Sequence, residues 1–370
     1  MKKNKMVASL AFMAVFASIS SFSFAQESEN YEENVENQVL TQESISSKEV
    51  LEEKPEEPVS IVIEEKSDFT EKNPWSFSIT TDFAYYPLSA RKAWAEGKTH
   101  FAPLTGIYSS IEGRVTGKAA YVLPLPLGDS WLVKGGNIKF TGSFEVTPVS
   151  IKPGFSAAWT PLPFIVFEAG SSIGTGWELL GLKGMAAFDG SSAYTNLTPF
   201  SNFYLNAYAQ GTFQFDTGAI WAGDWTHVQL MYTYQVFYEN LLGLPEGEIW
   251  MWQCTGNKCD GLQEYQNLIL AYQMPLVLSR AGFIFESSRH YKNDYSSKYD
   301  GYNGTFTERK IAAMGQFTLG KHDLLTVLAQ FNTRRAFTEE HEGSYVEPLL
   351  KYSSTEWFFN RVAFSWTHSF

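Results

Sequence analysis

A two-residue period organises this chain. Between residues 203 and 216, Phe203, Leu205, Ala207, Ala209, Gly211, Phe213 and Phe215 are apolar or small, whereas Tyr204, Asn206, Tyr208, Gln210, Thr212, Gln214 and Asp216 carry polar groups. Successive side chains of a strand point to opposite faces, so the segment predicts a strand with two different surroundings. The pattern repeats with Val228, Leu230, Tyr232, Tyr234 and Val236 on one face and Gln229, Thr233 and Gln235 on the other. Segments of the same period occur near 75–86, 104–123, 137–148, 149–160, 163–174, 200–216, 226–240, 263–275, 276–287, 304–319, 323–335 and 355–370. An all-β chain is expected.

The connections fit an antiparallel up-and-down arrangement with an even number of strands, which returns both ends to the same side. Thr160 to Pro163, Met274 to Leu276 and Leu319 to His322 are tight turns on that side. The segments 87–103, 175–199, 241–262, 288–303 and 336–354 are long loops on the other. Two connections fit less well: 124–136 is long for an inner turn, and Thr147-Pro148 is short for an outer one. Twelve strands is the expected count, with ten and fourteen as alternatives.

The last strand carries the most specific signal. Val362, Phe364, Trp366, His368 and Phe370 alternate with Arg361, Ala363, Ser365, Thr367 and Ser369, and the chain stops on the aromatic residue. A terminal strand frays unless a neighbour holds it, which argues for a closed sheet. The pattern resembles the closing strand of bacterial outer-membrane β-barrels, in which a C-terminal Phe with hydrophobic residues at alternate positions is the assembly signal. His368 departs from the usual apolar residue. The resemblance implies a transmembrane barrel over residues 74–370 in the bacterial outer membrane, with outer-membrane lipid and the barrel-assembly machinery as partners, and Val362, Phe364, Trp366 and Phe370 as the assembly signal. It names no cargo.

The N-terminus agrees. Lys2, Lys3 and Lys5 precede an apolar run from Met6 to Ile19, and Ser23-Phe24-Ala25 offers small residues where a signal peptidase reads, so residues 1–25 are expected to be an export signal. No Cys follows the run, which disfavours a lipid anchor. No later stretch of 18 apolar residues occurs, although the chain is 44% hydrophobic and 16% aromatic, so helical membrane spans are disfavoured.

Charge separates the rest. Between Gln26 and Lys72 stand 15 acidic residues against four lysines, with Tyr31 and Phe69 the only aromatics. Such a segment cannot bury enough apolar surface to offset its ordering entropy, so residues 26–73 are read as an acidic disordered periplasmic linker. It accounts for most of the net charge of −12. The remaining body is close to neutral, which disfavours nucleic acid as a partner.

Carried across the expected strands, the alternation turns inward Arg114, Lys118, Lys139, Lys152, Arg280, Lys310, Arg334 and Arg361, with Asp82, Glu112, Glu145, Glu168, Asp216 and Glu286. These are the lumen-lining candidates. Such a mixed set has two readings: a transverse field across a narrow aqueous pore for small polar solutes, or charges that pair with one another and fill the interior. The loop from Thr175 to Pro199 carries Trp177, Leu179, Leu180, Leu182, Met185 and Phe188. It packs either inward, as a constriction, or on neighbouring outer loops.

Cys254 and Cys259 flank Thr255-Gly256-Asn257-Lys258, and in an exported protein this isolated pair is expected to be a disulfide stapling an outer loop, with free thiols as the alternative. Chemistry is poorly represented. There is no His-Glu-x-x-His, Gly-x-Ser-x-Gly or phosphate loop, and no catalytic residue, metal site or cofactor is expected. The run Glu339-Glu340-His341-Glu342 reads as solvated charge. Loop 288–303, with Tyr291, Tyr295, Tyr299 and Tyr302 beside Asp294 and Asp300, could stack on sugars. Three functions follow, in falling order: a narrow porin-like channel, a surface-binding or structural barrel acting through its loops, and a membrane-embedded lipid hydrolase using His368.

Overall fold

The computed structural model describes residues 73–87, 111–128, 130, 132–190, 193–221, 223–339 and 346–370. The segments read as export signal and acidic linker lie outside the described residues, as do 88–110 and most of the acidic run at Glu339. Twelve strands form a closed antiparallel barrel. In chain order they are β1 (Trp75–Tyr85), β2 (Ile111–Pro124), β3 (Asn137–Thr147), β4 (Ser150–Leu162), β5 (Ile165–Gly176), β6 (Phe203–Asp216), β7 (Val228–Leu242), β8 (Gly261–Gln273), β9 (Leu278–His290), β10 (Glu308–Thr318), β11 (Asp323–Phe337) and β12 (Tyr352–Ser369). Each pairs with its sequence neighbours, and β12 closes on β1 from Ser78↔Ser369 to Tyr85↔Val362.

The residue pattern explains the wall. Along β11, Leu324, Thr326, Leu328, Gln330, Asn332 and Arg334 are all buried and point inward. Outward positions are apolar and open: Phe283 is 61% and Phe155 57% exposed, whereas Thr80, inside, is 1% exposed. A water-soluble barrel would hide its phenylalanines and wet its glutamines. This sheet does the reverse, which is stable only where hydrocarbon surrounds it and every strand edge is paired.

One irregularity matters. Gln330 pairs with Arg361 but Phe331 pairs with Phe359, so Asn360 is an extra residue in β12. A bulge of this kind resets the alternation. Below it Arg361 faces inward and Val362 outward; above it Phe358 and Glu356 face inward, with Phe359 and Trp357 outward.

The short outer hairpin at Pro148 is a footing for another loop. Thr147 Oγ1 lies 2.8 Å from Ser150 Oγ and accepts from Val149 N at 3.2 Å. Trp177 then donates from its indole to Pro148 O and from its backbone to Val149 O, both at 2.8 Å. Gly184 sits so close to the Val149 carbonyl that a Cβ there would collide with it.

Candidate functional site

Two structures meet at the outer end of the barrel: a polar lumen and a cap of loops. The cap is built from the segments after β5 and β7, which join in a four-stranded sheet formed by Tyr194–Asn196, Met185–Phe188, Trp250–Trp252 and Thr255–Lys258. Its first apolar cluster holds Met185, Tyr204, Leu241, Trp250 and Trp252, with the Trp252 ring stacked on Tyr204 at 4.5 Å. A second holds Ile249, Cys259, Tyr295 and Tyr302 against Phe188, Tyr194, Tyr299, Phe337 and Leu349. The loop 175–199 therefore packs on its neighbour 243–260. The apolar residues that mark it in the sequence are, in part, the core of that pairing.

The cap is tied to the lumen wall by polar contacts. Gln253, 3% exposed, donates through Nε2 to Glu145 Oε1 and Ser150 Oγ, both at 2.8 Å. Lys258 Nζ reaches Glu239 at 2.7 Å, and Tyr204 OH donates to the same carboxylate at 2.7 Å. Asp260 accepts from Leu241 N and the Trp250 indole at 2.9 Å. Arg335 donates to Glu347 at 2.8 Å and lies over the Tyr302 ring at 4.0 Å.

The expected disulfide is absent: Cys254 and Cys259 are both free. The intervening Thr255–Lys258 is a bulged strand paired with Trp250–Trp252, and a strand rising about 3.3 Å per residue sets the two thiols at its opposite ends instead of folding them together as a bridge requires. Cys259 is buried and donates to Asp294 O at 3.2 Å. Burial pushes the Cys254 thiol up to about 11 and the Cys259 thiol up to about 12, so neither is a ready nucleophile or ligand. Among the described residues no group of His, Cys, Asp and Glu is arranged to hold a metal ion.

Inside the barrel the charged residues form local networks along the wall. Arg114 donates through Nε to Asp82 at 2.9 Å and through Nη1 to Glu145 at 3.3 Å, and Lys152 Nζ stands 3.1 Å from Glu145. Arg361 donates to Gln330 at 2.8 Å and to Tyr86 OH at 3.2 Å, which in turn donates to Glu112 at 2.6 Å. Arg334 pairs with Glu356 and covers the Phe358 ring at 4.4 Å. Glu168 accepts from Tyr208 and Gln210, and Glu286 from Tyr265. Arg280 donates to Gln316 at 2.6 Å, and Lys310 lies 3.8 Å from Glu308. At the inner end Asp216 meets His227 at 2.9 Å and Gln229 at 3.0 Å. Lys118 and Lys139 face inward opposite Ser143 and Ala158 on the neighbouring strands.

Three inward carboxylates escaped the sequence reading: Glu239, Glu308 and Glu356. The first two lie in phase with Gln235 and Lys310, so the alternation already pointed to them. Glu356 lies beyond the bulge, and its signal was the phase slip between Phe359 and Val362. With them the excess of bases disappears.

The wall is uneven. Inward residues of β11 are packed tight, whereas Lys118 on β2, Lys139, Thr141 and Ser143 on β3, Ser156 on β4 and Gln210, Thr212 and Gln214 on β6 keep part of their surface open. An interior of mostly polar and paired side chains, with an apolar exterior and a closed seam, decides the class. This is a β-barrel of the membrane-spanning kind. No family model matches the chain, and no curated protein matches it. Among solved structures it is similar to the β domain of the Bordetella autotransporter BrkA (10% identity, TM-score 0.38, covering 80% of this chain and 100% of that one). It is also similar to the KdgM porin (9%, 0.33, 79% and 99%) and to LpxR from Salmonella typhimurium (8%, 0.35, 79% and 99%).

Proposed function

We propose that the barrel is a narrow channel for small polar solutes whose outer mouth is restricted by the loop cap. The observation that carries this reading is the set of partly open polar positions on β3, β4 and β6, across the barrel from the packed wall of β11. A barrel that served only as a rigid scaffold would gain by packing those positions too. Twelve strands enclose more room than side-chain-filled barrels of about eight strands and less than open porins of sixteen or more. Single-channel recording in planar bilayers tests it. Small, discrete openings are expected, and larger ones when Gln253→Ala and Trp252→Ala release the cap. Silence from both the wild type and the double variant rejects a channel.

The surface-binding reading loses part of its support. Tyr295 and Tyr302 are 9% and 2% exposed and belong to the cap core, which leaves fewer rings free to stack on a sugar. A lipid hydrolase is further disfavoured by the surroundings of His368. Its Nδ1 lies 2.9 Å from Asp323 Oδ1, its strand partners are Ile79 and Asp323, and the adjacent Ser369 points to the opposite face of the strand. We assign residues 26–73 the role of a solvated periplasmic spacer and Phe370 that of a signal to the assembly machinery.

A further inference from the structure

The outward face of the barrel is not apolar all the way up. On β8 the exposed Leu270 and Leu268 give way, toward the outer end, to Gln266 and Glu264. On β9, Phe283 and Phe285 give way to Ser287 and Arg289, and on β10 Ile311 gives way to Arg309. The register lines these changes up: Leu268 stands opposite Phe285 and Phe285 opposite Ile311, while Gln266 stands opposite Ser287 and Ser287 opposite Arg309. A charged side chain on the lipid face costs about 2–4 kcal/mol at the bilayer midplane and little at the interface. Leu262 is exposed again above Glu264, at the outer end of β8, so the step across three strands is a polar band on the outward face, at a level suited to outer-leaflet headgroups.

Above that step the side chains are organised. Glu264 accepts from Arg289 Nε at 2.7 Å and from Tyr234 OH at 3.0 Å. Tyr234 OH lies 2.7 Å from Tyr291 OH, and Tyr232 OH donates to Gln266 at 3.1 Å. Arg309 is exposed, and among the described residues no carboxylate engages its guanidinium. Arg289 and Arg309 lie diagonally across the β9–β10 pair on one face, a relation that places such residues roughly 7–8 Å apart, close enough to share one phosphate. With Glu264 counted, the patch carries one excess positive charge, directly above an exposed floor of Leu268, Phe283 and Phe285.

We propose that this outward patch on β7–β10 binds the phosphorylated headgroup of an outer-leaflet lipid. Arg309 and the unshared edge of Arg289 take the phosphate, Tyr291 and Gln266 take neighbouring hydroxyls, and the floor takes an acyl chain. The occupant is a lipid because the cationic groups and the exposed hydrocarbon floor are contiguous, which suits a molecule with both parts. The site does not depend on whether the lumen conducts.

Native mass spectrometry of the folded full chain, titrated with bisphosphorylated lipid A or its dephosphorylated form, tests this. The phosphorylated lipid should be retained more strongly, and Arg309→Gln should weaken its retention about tenfold, equivalent to ~1.4 kcal/mol. Arg289→Gln should act in the same direction, and Lys321→Gln, in the exposed turn at the opposite end, should have no effect. Heat-modified gel mobility checks that each variant is folded. Equal retention of the two lipids, or retention indifferent to both arginine variants, overturns the proposal. Displacement of the lipid by millimolar inorganic phosphate alone overturns the lipid assignment in favour of a free-anion site.

Discussion

At the scale of single residues, the interior is a set of local settlements between neighbours. Arg114 serves two carboxylates, and both would remain if it were truncated. Removing one partner from a buried charge network costs about 3–5 kcal/mol, because the groups left behind keep their desolvation penalty. Arg114→Ala should therefore lower the barrel's thermal midpoint strongly, whereas Arg114→Ala combined with Asp82→Asn and Glu145→Gln should recover much of the loss. Differential scanning calorimetry in detergent distinguishes this from additive damage. The cysteines make the opposite prediction. With thiol pKa values near 11 and 12, the thiolate fraction at pH 8 is on the order of 10⁻³ or less, and it rises as pH approaches those values. Iodoacetamide should label the folded protein slowly at pH 8 and faster as pH rises, and reductant should leave gel mobility unchanged. A mobility shift on reduction would restore the bridge. The sequence could not exclude it, since spacing in the chain does not reveal that the residues between form a strand of the cap.

At the scale of elements, strands were readable because lipid and lumen impose a period of two on every crossing. The strand centres and the tight inner turns stand where the alternation puts them. What was not legible came from departures from that period. The Asn360 bulge hid Glu356 and Phe358, because a reader counting back from Phe370 continues in the wrong phase. The cap was invisible for a different reason: its two clusters join loops far apart in the chain, and no local pattern encodes that meeting. Only the surplus of apolar residues in 175–199 hinted at it. The bulge is itself testable. Deleting Asn360 alone joins Phe359 to Arg361 in a regular ladder with Phe358 and Glu356 still inward, whereas deleting Phe359 and Asn360 together turns both outward and separates Arg334 from its partner. The double deletion should lower the folded yield and the unfolding temperature far more than the single one; equal midpoints for the two would mean that the phase above the bulge is incidental.

At the scale of the whole molecule, the closing seam sets the fold and gives Phe370 its meaning. Eight residue pairs join β1 to β12, Thr80 and Thr367 place their hydroxyls 3.0 Å apart within the seam, and Phe370 N donates to Phe77 O at 2.9 Å beyond it. The Phe370 ring is 70% exposed. Deleting the residue would thus forfeit one hydrogen bond, worth about 0.5–1.5 kcal/mol, and little packing. That loss is small beside a closed barrel whose other seam contacts persist. If the terminal aromatic served stability, its removal should lower the unfolding temperature in proportion to its contacts. If it serves recognition during insertion, removal should cut the amount of barrel reaching the membrane several-fold in cells, while protein refolded into detergent keeps its heat-modified mobility and its conductance. The seam geometry favours the second outcome. Measuring cellular insertion and in vitro refolding of the same truncation separates the two, and a refolding defect as large as the insertion defect would return Phe370 to a structural role.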